Sequence, residues 1–203
     1  MPLLALALAL AGIVVPGGMS SSAHAASKDY AACFSDGKVG ADEQIAACTA
    51  IAEDKNEIAD LRVNAYFVRG LAYTQKNDID HVIADMTEVV ALDPTYMRAF
   101  TNRGIAWEDK GDFDRAVVDY TRAIALTPDD ASLYVNRARA LGKKGEHDRA
   151  IADCDKAIDI DPRQRNGLWR ARHCLGRHGR RGSSPGRLRQ GRKCANGPRH
   201  TLP

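Results

Sequence analysis

The sequence predicts an all-α chain, a solenoid of stacked helix–turn–helix units, and three observations carry that expectation. Prolines stand at Pro94, Pro128 and Pro162, 34 residues apart each time. A ladder of residue types keeps step with them. Aromatics fall at Tyr66, Phe100 and Tyr134, arginines at Arg69, Arg103 and Arg137, and small residues at Gly70, Gly104 and Ala138. Tyr73, Trp107 and Leu141 follow, then the turn residues Asn77, Gly111 and Gly145, then Val82, Ala116 and Ala150, then Met86, Tyr120 and Cys154, then Val89, Ala123 and Ala157. Within each period the apolar residues lie at helical spacing in two runs, so each period holds two helices.

The first element is a leader. Leu3 to Val15 is an apolar run, followed by Pro16-Gly17-Gly18 and then Ser22-Ala23-His24-Ala25-Ala26. An apolar core of this length before a small-x-small site reads as a secretory signal cleaved after Ala25. It is short for a membrane-spanning helix. No Lys or Arg precedes the run, which departs from the usual leader, so an uncleaved anchor and an ordinary buried helix stay open as alternatives. The resulting expectation is a periplasmic or secreted protein with no transmembrane span after cleavage.

Residues 26–60 read as a degenerate N-terminal cap, half a unit long. Asp42-Glu43-Gln44-Ile45-Ala46-Ala47-Cys48 aligns with Asp114-Arg115-Ala116-Val117-Val118-Asp119-Tyr120, which puts Cys48 in the column of Met86, Tyr120 and Cys154. Cys48 lies 38 residues before Met86, so the connection around Asp54 to Asp60 carries four extra residues. In an oxidising compartment Cys33 and Cys48 are a natural disulfide pair, worth about 3 kcal/mol for a loop of this size. Two buried thiols are the alternative. Cys154 takes a core column and reads as a small buried hydrophobe.

Three full units follow at 63–96, 97–130 and 131–164. In the second, Phe100, Arg103, Gly104 and Trp107 share one face of a first helix. Lys110-Gly111-Asp112 breaks it, with glycine supplying backbone freedom and Asp112 or Asp114 accepting from the next helix's first amides. Ala116, Tyr120, Ala123 and Ile124 mark the apolar face of a second helix, and Thr127-Pro128 ends it. A 34-residue period with these small, aromatic and closing-proline columns resembles the tetratricopeptide repeat family. The resemblance covers the three units and implies a right-handed α-solenoid that binds other chains and performs no catalysis.

It also implies where binding occurs, since in that family the first helix of each unit lines a concave groove. The residues so placed are Asn64, Phe67, Val68 and Leu71; Arg98, Thr101, Asn102, Ile105 and Asp109; and Ser132, Val135, Asn136, Arg139 and Lys143. Asn102 and Asn136 share a column, and such asparagines suit the backbone of an extended peptide. Arg98, Arg139 and Lys143 add positive charge suited to carboxylates. A solvated helix face is the plainer reading of the same residues. The basic and amide set that some members use to clamp a peptide C-terminus is not matched, for Asn64, Val68, Ser132 and Asn136 stand in those columns and only Asn102 sits well. The expected partner is a protein or extended peptide, with no cofactor or metal.

Catalytic constellations are missing from the sequence of the repeats. Their two histidines, His81 and His147, stand near helix starts and read as solvent-facing, and no phosphate loop, nucleophile elbow or paired ligand motif occurs. The Asp and Glu residues read as a solvated surface.

The last forty residues differ in composition. The chain has 29 Lys+Arg, of which 12 stand from Arg163 onward, where Asp and Glu are absent; up to Pro162 the balance is 17 basic to 26 acidic, a net −9, against +3 overall. Taken as written, 165–203 is a disordered cationic tail able to meet an anionic polymer or membrane, with nucleic acid disfavoured. Cys174, His178, Cys194 and His200 imitate zinc-ligand spacing. A frameshift explains the tail better. Read one base later, His173-Cys174-Leu175 is compatible with Ile-Ala-Trp, matching Ile105-Ala106-Trp107. Leu168 can become tyrosine, Ala171 arginine, Arg172 glycine, Ser184 alanine, Leu188 phenylalanine and Gly191 alanine, each in its column; Arg187 and Arg189 can become aspartate. Only the proline column fails, at Asn196. A decayed gene product is a third reading. An incomplete fourth unit predicts an exposed apolar end face around Tyr134, Leu141, Ile151 and Ile158, and self-association through it.

Overall fold

The computed structural model describes residues 28–164 other than position 36. The leader at 1–25, the tail at 165–203 and its zinc-like set lie outside the described residues. Helix α1 covers 28–33, and α2 Ala41–Ala52, α3 Ala59–Gln75, α4 Ile79–Leu92, α5 Met97–Asp109, α6 Phe113–Leu126, α7 Ala131–Lys144 and α8 His147–Ile160 follow, closed by a 3-10 turn Pro162–Gln164. Among the described residues there is no strand. From α2 on, each helix packs chiefly on its neighbours in sequence, so the helices form a one-dimensional stack.

The turn column shows why the helices break where they do. Asn77 has φ 57°, Gly111 79° and Gly145 89°, all left-handed, a conformation that glycine and asparagine adopt most cheaply. Each closes its helix with the same pair of bonds. Asn77 N donates to Thr74 O and Asp78 N to Tyr73 O; Gly111 N donates to Glu108 O and Asp112 N to Trp107 O; Gly145 N donates to Gly142 O and Glu146 N to Leu141 O. Asp78 and Asp112 then cap the second helices, their carboxylates accepting from His81 N at 3.3 Å and Arg115 N at 3.0 Å. Glu146 caps α8 without a side-chain bond.

Packing between the two helices of a unit depends on the small column. A Cβ placed on Gly104 would stand 2.8 Å from Tyr120 Cε1, and one on Gly70 would stand 2.3 Å from Met86 Cε. Met86 and Tyr120 are accordingly sealed inside. The core divides into two clusters. One runs from Ala32 to Ala106 through α1–α5, and the other lies in α6–α8, with Phe100, Ile105 and Trp107 of α5 packed against it. Cys33 and Cys48 are bonded to each other, with Cα atoms 4.8 Å apart, and tie α1 to α2.

The end-face expectation is corrected at two of its four residues. Tyr134 is 8% exposed and Leu141 1%, because both turn into the core between α7 and its neighbours. Ile151 and Ile158 are half-buried, and Ile158 packs on the same cluster. His147, expected in solvent, is half-buried at the start of α8. His81 is exposed, its ring stacked on Tyr73 at 4.6 Å and its Nδ1 2.8 Å from Asp78 Oδ2.

Candidate functional site: the face of the first helices

The first helices α3, α5 and α7 meet through two side-chain bridges. The Arg98 guanidinium of α5 lies 4.8 Å from the centroid of the Phe67 ring of α3, and Phe67 also meets Tyr96 at 5.1 Å between centroids. Arg139 of α7 forks onto Glu108 of α5, Nε donating to Oε2 at 2.8 Å and Nη2 to Oε1 at 3.2 Å. The Tyr120 hydroxyl donates to the same carboxylate at 2.9 Å. Burial would lower the Arg139 pKa, but the bonds and charge of Glu108 outweigh that and raise it. Burial pushes the Tyr120 phenol well above its ordinary value, and the Glu108 charge adds to the shift.

This bridge changes the charge read from the sequence. Arg139 is neutralised by Glu108, a residue the sequence reading left out. Arg98 and Lys143, both exposed, are in no ion pair among the described residues. Asn64 and Asp109 are exposed as well. Thr101 Oγ1 donates to Met97 O at 3.2 Å, so that hydroxyl is satisfied within its own helix. Ile105 is half-buried and packs into the second cluster. Asn102 and Asn136 are half-buried, and neither side-chain amide has a hydrogen-bond partner among the described residues.

The larger omission is a column of buried acids. Asp85, Asp119 and Asp153 are only 3%, 3% and 6% exposed, although the sequence reading placed the acids in solvent. Each accepts from two nitrogens of the arginine 16 residues before it. Arg69 Nε and Nη2 reach Asp85 at 3.0 and 2.7 Å, those of Arg103 reach Asp119 at 2.8 and 2.8 Å, and those of Arg137 reach Asp153 at 2.8 and 2.7 Å. The third nitrogen, Nη1, donates to a hydroxyl of the preceding unit: Thr49 at 2.9 Å, Thr87 at 3.1 Å and Thr121 at 3.2 Å. The same guanidiniums sit over Tyr66, Phe100 and Tyr134 at 5.2, 5.6 and 5.7 Å. Each arginine therefore staples its own two helices together and both to the unit before. A buried charge is tolerable when paired and hydrogen-bonded in this way. The signal was present in the sequence, since the aspartates keep the 34-residue period at a fixed offset from the arginines.

These staples hold the two helices of each unit together and tie each unit to the one before. Among the described residues no group of three His, Cys, Asp or Glu is placed to hold a metal ion, and no helix is long and apolar enough to cross a membrane.

The tetratricopeptide repeat family model matches residues 68–131 and 101–165. The repeat region of the chain belongs to the tetratricopeptide repeat family. No curated protein matches the chain. Among solved structures, the crystal structure of MamA protein superposes with a TM-score of 0.67 at 22% identity, covering 77% of this chain and 84% of that one. A double mutant of MamA from RS-1 gives 0.62 at 19% identity over 82% and 88%. The first tetratricopeptide domain of Spaghetti (RPAP3), bound to the HSP90 peptide SRMEEVD, gives 0.52 at 22% identity over 60% and 94%. At these identities the likeness is one of fold.

Proposed function

We propose that the chain is an exported scaffold that binds an extended segment of another protein along the first-helix face of α3, α5 and α7, without catalysis. The tetratricopeptide fold suits protein–protein interaction, and the Spaghetti domain holds a peptide. One observation carries the reading to this chain. Asn102 and Asn136 sit one period apart, half-buried, with their amides unengaged among the described residues. An amide so placed offers a donor and an acceptor to a peptide main chain. Arg98 and Lys143 add positive charge, which favours a segment bearing carboxylates. A chaperone tail like SRMEEVD is not the proposed partner, because Asn64, Val68, Ser132 and Asn136 occupy the clamp columns.

Export is part of the proposal. Its support is the apolar leader and the Cys33–Cys48 bond, which persists in oxidising compartments. The mass of the protein recovered from the periplasm or medium should match a chain beginning at Ala26. A cytosolic chain retaining Met1 would overturn export.

The groove is tested with a random peptide library selected against the full chain, followed by affinity measurement on the enriched peptides. The double substitution Asn102→Ala and Asn136→Ala should weaken binding about 10-fold or more, two lost hydrogen bonds at roughly 1 kcal/mol each. Enriched peptides whose affinity survives that change but falls on deleting 163–203 would place binding on the cationic tail instead.

A further inference from the structure

We propose that Tyr30 and Phe34 form an aromatic subsite at the N-terminal end of the first-helix face, taking an aromatic side chain of the bound segment, an inference that rests on peptide binding along that face. The register of α1 comes from the disulfide. Gly70 lies against Met86, and Cys33 is bonded to Cys48 of the same column, so Cys33 stands where a first helix carries its small residue. Tyr30 and Phe34 then take the places of Phe67 and Leu71, on the face that α3, α5 and α7 also present. Phe34 N donates to Tyr30 O at 3.1 Å, one helical turn, and the two rings lie 4.9 Å apart between centroids. The bond to α2 holds this short helix, and with it the ring pair, in place.

The repeat itself shows what a ring in this place receives. Phe67 is 4% exposed, and the Tyr96 ring and Arg98 guanidinium of the next unit meet it at 5.1 and 4.8 Å. One period earlier those two columns hold Arg62 and Asn64. Arg62 is directed elsewhere, its Nε donating to Ala52 O at 3.0 Å, and Asn64 is exposed and brings no ring. Tyr30 is accordingly left 53% exposed, with Phe34 as its one ring contact among the described residues. The missing cover is an aromatic ring, and a ring gains more from another ring than from its buried area alone. Continuity with the first-helix face makes the occupant part of the same extended segment. Arg98, over Phe67 on the neighbouring first helix and in no ion pair among the described residues, draws the carboxylates of that segment. The ligand class is thus an acidic segment that carries an aromatic anchor.

The test uses the full chain and the peptides enriched on it from a random library, with affinity as the readout. Those peptides are expected to carry an aromatic residue. Tyr30→Ala should weaken their binding about 10-fold, and Tyr30→Phe should leave it unchanged. Alanine in place of the peptide's aromatic residue should cost as much, and the two losses should not add, because both remove one contact. Additive losses, or full affinity in Tyr30→Ala, would overturn the subsite. Sedimentation of the free chain tests the other occupant: a dimer that Tyr30→Ala dissociates would assign the ring pair to a second copy and overturn the proposal. The subsite and the groove fail separately. Affinity that falls with Asn102→Ala and Asn136→Ala but ignores Tyr30→Ala removes the subsite and keeps the groove. The reverse result removes the role of the two amides and keeps the ring pair.

Discussion

Gly104 and Gly70 occupy the same column, yet the atoms facing them differ in how far they can move. At Gly104 a methyl would meet the Tyr120 ring, which is sealed in the core and held by its hydroxyl on Glu108. At Gly70 it would meet the far end of Met86, a flexible thioether, with Asp85 Cβ at 3.3 Å as the second neighbour. Overpacking a rigid site costs about 1–3 kcal/mol, more than the roughly 1 kcal/mol that alanine gains over glycine inside a helix. Gly104→Ala should therefore destabilise the chain by about 1–2 kcal/mol in urea unfolding, and Gly70→Ala should cost less or nothing. Equal losses at both sites would mean that Tyr120 moves as easily as Met86 does.

Helix boundaries follow from the turn column, which the sequence displays in full: Asn77, Gly111 and Gly145 all take up left-handed backbone. Gly145 gives the cleanest test, since an added Cβ there would meet nothing within 4 Å. Gly145→Ala should cost about 1–2 kcal/mol through backbone conformation alone, while Gly145→Asn should cost less. Circular dichroism melts of both variants would show it, and an unaffected alanine variant would mean the turn can relax. The contact columns were legible because residue type repeats there for a single physical reason, such as a close approach at Gly104 or a helix stop at Pro128. The buried aspartates and Glu108 were not, because an acid in a helical repeat looks the same whether it faces water or an arginine. The periodic pairing of Arg103 with Asp119 was recoverable only by asking which charges recur together. The neutralisation of Arg139 had no periodic signal at all, since its column holds Ile105 in the unit before.

At the scale of the molecule, the two core clusters meet around α5 and α6, and the middle staple crosses that seam. Arg103 of α5 binds Asp119 of α6 and, through Thr87, reaches back to α4. A linear stack holds together only through neighbour contacts, so a weakened seam should let one side open while the other stays folded. Asp119→Ala removes the carboxylate and leaves a largely buried guanidinium without its counter-charge, a change that costs about 3–5 kcal/mol when such a pair is broken. The N-terminal side keeps the Cys33–Cys48 bond and the Arg69 staple with its additional partner Glu53 at 3.0 Å. The C-terminal side has the Arg137 staple and no disulfide among the described residues. The expected result in hydrogen exchange of Asp119→Ala is loss of protection across α6–α8, with α2–α4 keeping most of theirs. Uniform loss along the whole stack would show that the clusters unfold as one unit and that the seam is no weaker than the rest.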